Sequence, residues 1–122
     1  MRADAEGYVA RIDAALNLVK MSLDWERALR RLDELNAKVE DPSLWDNPKA
    51  AEEVMRERRR LDAAIATVRE IDADKAGTVE LIELAEMEGD AALGDEGAAA
   101  LKALAERADR DKVSALLSGE AD

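Results

Sequence analysis

Four groups of residues in this sequence could do chemistry, and each has a plain structural use beside it. The sharpest is Asp72-Ala73-Asp74-Lys75-Ala76-Gly77-Thr78-Val79-Glu80-Leu81-Ile82-Glu83, with acids at places one and three, glycine at six, an aliphatic at eight and Glu at twelve. That is the ligand order of an EF-hand calcium loop. Place five, however, is Ala76, which has no side-chain oxygen to give a cation. Val68, Ile71, Lys75, Thr78 and Ile82 also keep a spacing of three and four through the segment, a rhythm that a calcium loop would interrupt. The pattern predicts a solvated acidic helix, and a calcium sensor ranks last among the functions considered.

The second group is basic: Arg27, Arg30, Arg31, Arg56, Arg58, Arg59 and Arg60. Such a run can bind RNA, but Arg58 with Asp62 and Arg30 with Glu34 have the four-residue spacing of ion pairs on a helix. Ion pairing is the preferred reading, with a minor contact to ribosomal RNA or an acidic domain left open. Trp25 and Trp45 form the third group. Both sit at predicted element boundaries, where anchoring a core explains them without a stacked ligand. Carboxylate pairs such as Glu52 and Glu53 or Glu86 and Glu88 are the fourth, and among 29 acids chance pairs mean little. No nucleophile stands beside a base, no glycine-rich phosphate loop is present, and the chain has neither His nor Cys. Disulfides, zinc sites and histidine acid–base catalysis are therefore excluded, and neither an enzyme nor a cofactor is expected.

The elements that must position these residues are helical. Of 122 residues, 25 are Ala and 15 Leu, against 7 Val and 4 Ile, and the aromatics are Tyr8, Trp25 and Trp45. Strong helix formers dominate and strand formers are scarce, so the fold class expected is all-α. Val9, Ile12, Leu16, Val19 and Leu23 mark the stripe of a first helix. Trp25, Leu29, Leu32 and Val39 begin a rotated stripe, which places a break near Ser22–Asp24, with Asp24 or Ser22 as the capping oxygen. Pro42 should stop the second helix near Glu40. Asn47 followed by Pro48 reads as the cap and first residue of a third.

That third helix carries Val54, Leu61, Ile65, Val68, Ile71, Val79 and Ile82, interrupted by Lys75, and is predicted from Pro48 to about Glu88. At 1.5 Å per residue it would span roughly 60 Å, so the expected architecture is an elongated bundle of three to four helices. Gly89-Asp90 and Gly94-Asp95 read as a turn. Leu101, Leu104, Ala108, Ala115 and Leu116 would form the inner face of a last helix, paired with the third as an antiparallel hairpin. Ser118 to Asp122 reads as a frayed end, either a natural terminus or a cut at a domain boundary. The chain is expected to form a single helical domain, 1–122.

Charge is uneven. Net charge is −11, of which residues 61–122 hold −10, a balance that disfavours general phosphate binding. Between Glu70 and Glu96 there are ten acids and one base, Lys75. The hairpin tip should be a negative knob that meets a basic partner surface, with Glu80, Glu83, Glu86 and Glu88 as candidate contacts. No apolar run is long enough for a membrane span, and the first residues are too polar for a secretory signal. A soluble cytoplasmic protein without a small-molecule substrate is the default.

Ser22-Leu23-Asp24-Trp25-Glu26-Arg27, Arg31-Leu32-Asp33-Glu34-Leu35-Asn36 and Glu40-Asp41-Pro42-Ser43-Leu44-Trp45-Asp46-Asn47-Pro48-Lys49-Ala50-Ala51 occur in that order. With Val54-Met55-Arg56-Glu57-Arg58 and Thr78-Val79-Glu80-Leu81 they resemble the N-terminal helical region of the bacterial peptide chain release factor 2 family. The Asp-Pro-x-x-Trp-Asp-x-Pro connector is the most specific part, and the likeness covers essentially the whole chain. The resemblance implies translation termination at UAA and UGA codons, with hydrolysis of peptidyl-tRNA on the ribosome. It implies as partners the stalk base of the large subunit near the GTPase-associated centre, a class II release factor GTPase, and the remainder of the factor's own chain. The family's Gly-Gly-Gln and Ser-Pro-Phe elements have no counterpart, because the sequence contains no Gln, no Phe and no adjacent glycines. No catalytic or codon-reading role therefore passes to any residue here. A self-associating coiled-coil adaptor is the alternative, although Lys75 and Gly97 break its seam.

Overall fold

The computed structural model describes residues 1–120, and every regular element among them is helical. Helix α1 spans Ala3–Leu23 and α2 Trp25–Glu40; a short 3-10 helix covers Pro42–Asp46; α3 is Pro48–Glu88 and α4 Ala91–Glu120. The all-α expectation holds, as do the stop before Pro42 and both ends of α3. Asn47 caps α3 as its sequence suggests, its Oδ1 accepting from the Ala50 N–H at 3.2 Å.

The break after α1 is present, but not by the chemistry expected. Asp24 takes a left-handed backbone (φ 56°) and its side chain caps nothing. Asp is one of the few residues besides glycine that enter this region at modest cost. The start of α2 is held by the backbone instead, Ala28 N–H donating to the Asp24 carbonyl at 2.8 Å.

The chain divides into two compact units, Leu23–Thr67 on the one hand and Met1–Ser22 with Val68–Asp122 on the other. In the unit Leu23–Thr67, α2 and the first half of α3 enclose Ala28, Leu35, Leu61 and Ile65, with Leu23, Trp25, Leu29, Leu32 and Val54 packed around them. Of the expected stripe, Trp25, Leu29 and Leu32 thus flank the core while Val39 is not part of it, and α2 contributes Ala28 and Leu35, seven residues apart, to its centre. Trp45 is no core anchor: it stands 52 % exposed in the 3-10 helix. That turn is built around Asp41, whose Oδ1 accepts from the Ser43 N–H at 3.0 Å and the Ser43 hydroxyl at 2.8 Å. These bonds hold the Asp41 carboxyl below its usual range.

The other unit is a three-helix arrangement whose register is legible from its cross-links. Arg107 reaches Glu70 and Asp74, and Gly94 lies against Ala85, so α3 and α4 run antiparallel as predicted. Asp13 meets Lys75 while the Met1 amine meets Glu86, which makes α1 antiparallel to α3; Arg2 with Asp95 and Arg11 with Asp109 make it parallel to α4. Ile12, Ile71, Ile82 and Leu101 are fully buried. So are Ala5, Ala105 and Ala108, small residues that let the helices approach closely.

Two expectations for α4 are corrected. Gly94-Asp95 is not a turn: the helix begins at Ala91 and runs through both glycines, and Gly97 is needed there as a helical residue of minimal size against Ile82. The inner face ends sooner than expected, since Ala115 is half-buried and Leu116 is 41 % exposed. The predicted frayed end is helical as far as Glu120, and 121–122 lie outside the described residues.

Candidate partner-docking end

The candidate contact residues stand at the α3–α4 turn, so the turn's construction fixes where they point. Gly89 closes α3 in the left-handed region (φ 66°), a conformation that glycine adopts without a Cβ penalty. The Asp90 N–H donates to the Ala85 carbonyl at 2.9 Å and the Gly89 N–H to the Glu86 carbonyl at 3.3 Å, the paired bonds of a Schellman motif. Asp90 then caps α4, its Oδ1 accepting from the Leu93 N–H at 3.0 Å. One residue thereby ends one helix and starts the next, and the hairpin turns with no slack.

Just beyond the turn the two helices meet at glycine. A Cβ on Gly97 would lie 2.6 Å from Ile82 Cγ1, so this crossing tolerates no side chain as it stands. Arg2 ties the end of the hairpin to α1: its Nη1 donates to Asp95 at 2.7 Å, while Nε and Nη2 grip Asp4 at 2.7 and 3.0 Å. The guanidinium draws the Asp4 carboxyl below its usual range and is itself raised, first by Asp4 and then by Asp95.

Glu80, Glu83, Glu86 and Glu88 are all exposed on the last turns of α3. The helix does not gather them on one face. Steps of three residues wind Glu80, Glu83 and Glu86 around the cylinder, and Glu88 falls on the opposite flank. Glu86 faces the Met1 amine at 3.6 Å. Glu80, Glu83 and Glu88 form no ion pair among the described residues. Lower on the hairpin the acids are engaged: Glu70 and Asp74 by Arg107, and Asp72 by Lys75. The free negative surface is thus narrower than the stretch from Glu70 to Glu96 suggests. Interleaved with it are Leu81, Leu84 and Met87, the last two 46 % and 85 % exposed. Sequence reasoning passed over these three, and their signal was a phase opposite to the buried pair Ile71 and Ile82.

The segment resembling a calcium loop is uninterrupted helix, so its acids spread around α3, and the described residues contain no group of three or more acids placed to hold a metal. Three of the seven arginines in the basic group, Arg31, Arg56 and Arg58, have structural partners, two of them other than expected. Arg31 grips Glu57 at 2.7 and 2.8 Å and also takes Glu34, at 3.1 Å, away from Arg30. Arg58 reaches Asn36 at 2.7 Å rather than Asp62. Cross-helix partners win here because α2 and α3 hold these side chains opposite one another. The Arg31 hydrogen bond pulls the Glu57 carboxyl down. Arg56 does pair along the helix, with Glu52 at 2.9 Å.

Residues 28–122 match the model of the PCRF domain. The chain belongs to the PCRF domain family. Over all 122 residues it is 48 % identical to peptide chain release factor 2 of Roseobacter denitrificans and 47 % identical to that of Paramagnetospirillum magneticum. Over 99 residues it is 54 % identical to that of Caulobacter vibrioides, a match covering 81 % of this chain and 27 % of the relative. The first two matches cover 33 % of each relative, so this PCRF domain spans about a third of their length. Among the described residues no helix is long and apolar enough to cross a membrane.

Proposed function

We propose that this PCRF domain is the ribosome-contacting accessory arm of a termination factor acting at UAA and UGA codons. In this reading it engages the stalk base of the large subunit near the GTPase-associated centre and works beside a class II release factor GTPase. Peptidyl-tRNA hydrolysis falls to other parts of the factor. The observation that carries the reading is the match of the whole chain to release factor 2 of several bacteria. The unpaired carboxylates of Glu80, Glu83 and Glu88, with Glu86 beside them, support a basic partner surface. Exposed charges of this kind accelerate encounter more than they add affinity. The test replaces Glu80, Glu83 and Glu86 with Lys and follows binding of the chain to purified large ribosomal subunits. Association should slow and lose most of its salt dependence; unchanged association kinetics would refute the assignment.

A further inference from the structure

On the side of the hairpin away from α1 lies an open groove of about 600 Å³, lined only by α3 and α4. Its floor is small: Ala73 and Gly77 from α3, Ala100 and Ala103 from α4. A Cβ on Gly77 would meet nothing within 4 Å, so the glycine serves no contact inside the described structure. This contrasts with Gly97, which the fold itself requires. Ala73, Gly77 and Leu81 recur every four residues and Leu84 follows three later, so one stripe of α3 runs from the groove floor out to the exposed leucines. A shallow trough thus continues into an apolar ridge on a surface otherwise rich in charge, a pattern associated with protein contacts.

We propose that this groove seats an amphipathic helix of a basic partner protein, an assignment that rests on the reading of the chain as a docking arm. Charge selects the occupant. Glu80, Glu83 and Glu88 border the ridge end without ion partners, which favours Lys and Arg on the rim of whatever binds. A second copy carries the same net charge of −11, so two chains repel one another as a whole. At the other end stand Arg107 and Arg110. Arg107 is already occupied by Glu70 and Asp74, and Arg110 is exposed. This gives the groove a direction: the partner helix lays its basic turns against the glutamates and its C-terminal, partially negative end toward Arg110. The small floor lets the two backbones approach, and Leu81 and Leu84 supply the apolar contact that charge alone would not.

The test fills the trough without touching the glutamates. Gly77→Ala, Gly77→Leu and Ala100→Leu are compared for helicity, thermal stability and binding of the chain to purified large ribosomal subunits. Gly77→Ala guards against misfolding, since alanine favours the helix and the site has room. Helicity should be retained, and dissociation should quicken in the order Ala then Leu, by about tenfold for the leucines, with association little changed. If charge reversal at Glu80 and Glu83 slows association while filled grooves dissociate normally, the groove assignment is overturned and the docking arm stands. If neither set alters binding, both fall. Sedimentation equilibrium decides the remaining occupant: a dimer of the chain that Gly77→Leu abolishes would also overturn the proposal.

Discussion

Each compact unit carries nine basic residues, yet Leu23–Thr67 has 11 acids and the other unit 18. In the first, charge is spent on closure: Arg31 bridges Glu57 and Glu34, and Arg58 reaches Asn36. In the second, bases pin helices together at Arg2, Arg11, Lys75 and Arg107, and a surplus of carboxylates is left at the turn. The cores are alike in kind, since Leu35, Leu61 and Ile65 pack with Ala28 and Ala51 in one, and Ile12, Ile71, Ile82 and Leu101 with buried alanines in the other. The difference therefore lies in charge. Near-balanced charge is used up in closing a strut, and excess charge leaves a surface available to something else.

The sharpest way to break this contrast is Leu35→Ala, which empties the centre of the Leu23–Thr67 core and should cost about 2–5 kcal/mol. Both tryptophans belong to that unit. The urea midpoint reported by tryptophan fluorescence should therefore fall further than amide-exchange protection around Ile82 and Leu101. Equal losses in both would mean that the units unfold as one.

Gly97→Ala probes the other core. Its Cβ would sit 2.6 Å from Ile82 Cγ1, and overpacking of this kind should cost about 1–3 kcal/mol. Made in an Ile82→Ala background, where Cγ1 is gone, the same change should cost much less. A double-mutant cycle that shows no coupling would mean the crossing relaxes elsewhere. Gly77→Ala should have the opposite sign and raise stability by about 0.5–1 kcal/mol, since its Cβ meets open space in a helix. One unit thus holds a glycine the packing needs and a glycine the packing does not need.

These glycines also show where the sequence was readable. Pro42, Asn47-Pro48 and Gly89-Asp90 announced helix ends because caps and stops are local chemistry, settled by residues within a turn of one another. The helical stripe through Ile65, Val68, Ile71 and Ile82 was readable for the same reason. Ala28, Ala98 and Ala105 were not, since alanine is common on both faces of these helices and becomes core only through a neighbour. Gly97 looked like a flaw in a seam until Ile82 stood against it. The acidic end was legible as composition, but which of its acids stay unpaired depended on Arg107, Arg2 and the Met1 amine arriving from distant positions. The exposure of Leu84 and Met87 followed from phase, a signal the sequence contained and a search for buried stripes passed over.

The smallest expected effect separates the units by pH. Glu57 in one unit and Asp109 in the other are held below their ordinary range by Arg31 and Arg11. Each contributes stability above its unfolded pKa that is lost as pH falls through the folded value, so both units should weaken on the acid side. Lys75 behaves in the opposite sense. Its hydrogen bond to Asp13 at 2.5 Å raises it, against the opposing effect of partial burial, and Asp72 adds to the rise. Its contribution is complete below the unfolded pKa and disappears as pH climbs through the folded one. The alkaline loss should therefore appear in the α1–α3–α4 unit, amount to no more than about 1 kcal/mol for so accessible a pair, and vanish in Lys75→Met. Exchange protection near Ile12 and Ile71, followed from neutral to strongly alkaline pH in both proteins, measures the difference directly. A variant whose alkaline limb matches the parent's would show that Lys75 neutralises Asp13 and Asp72 without stabilising the helices that carry them.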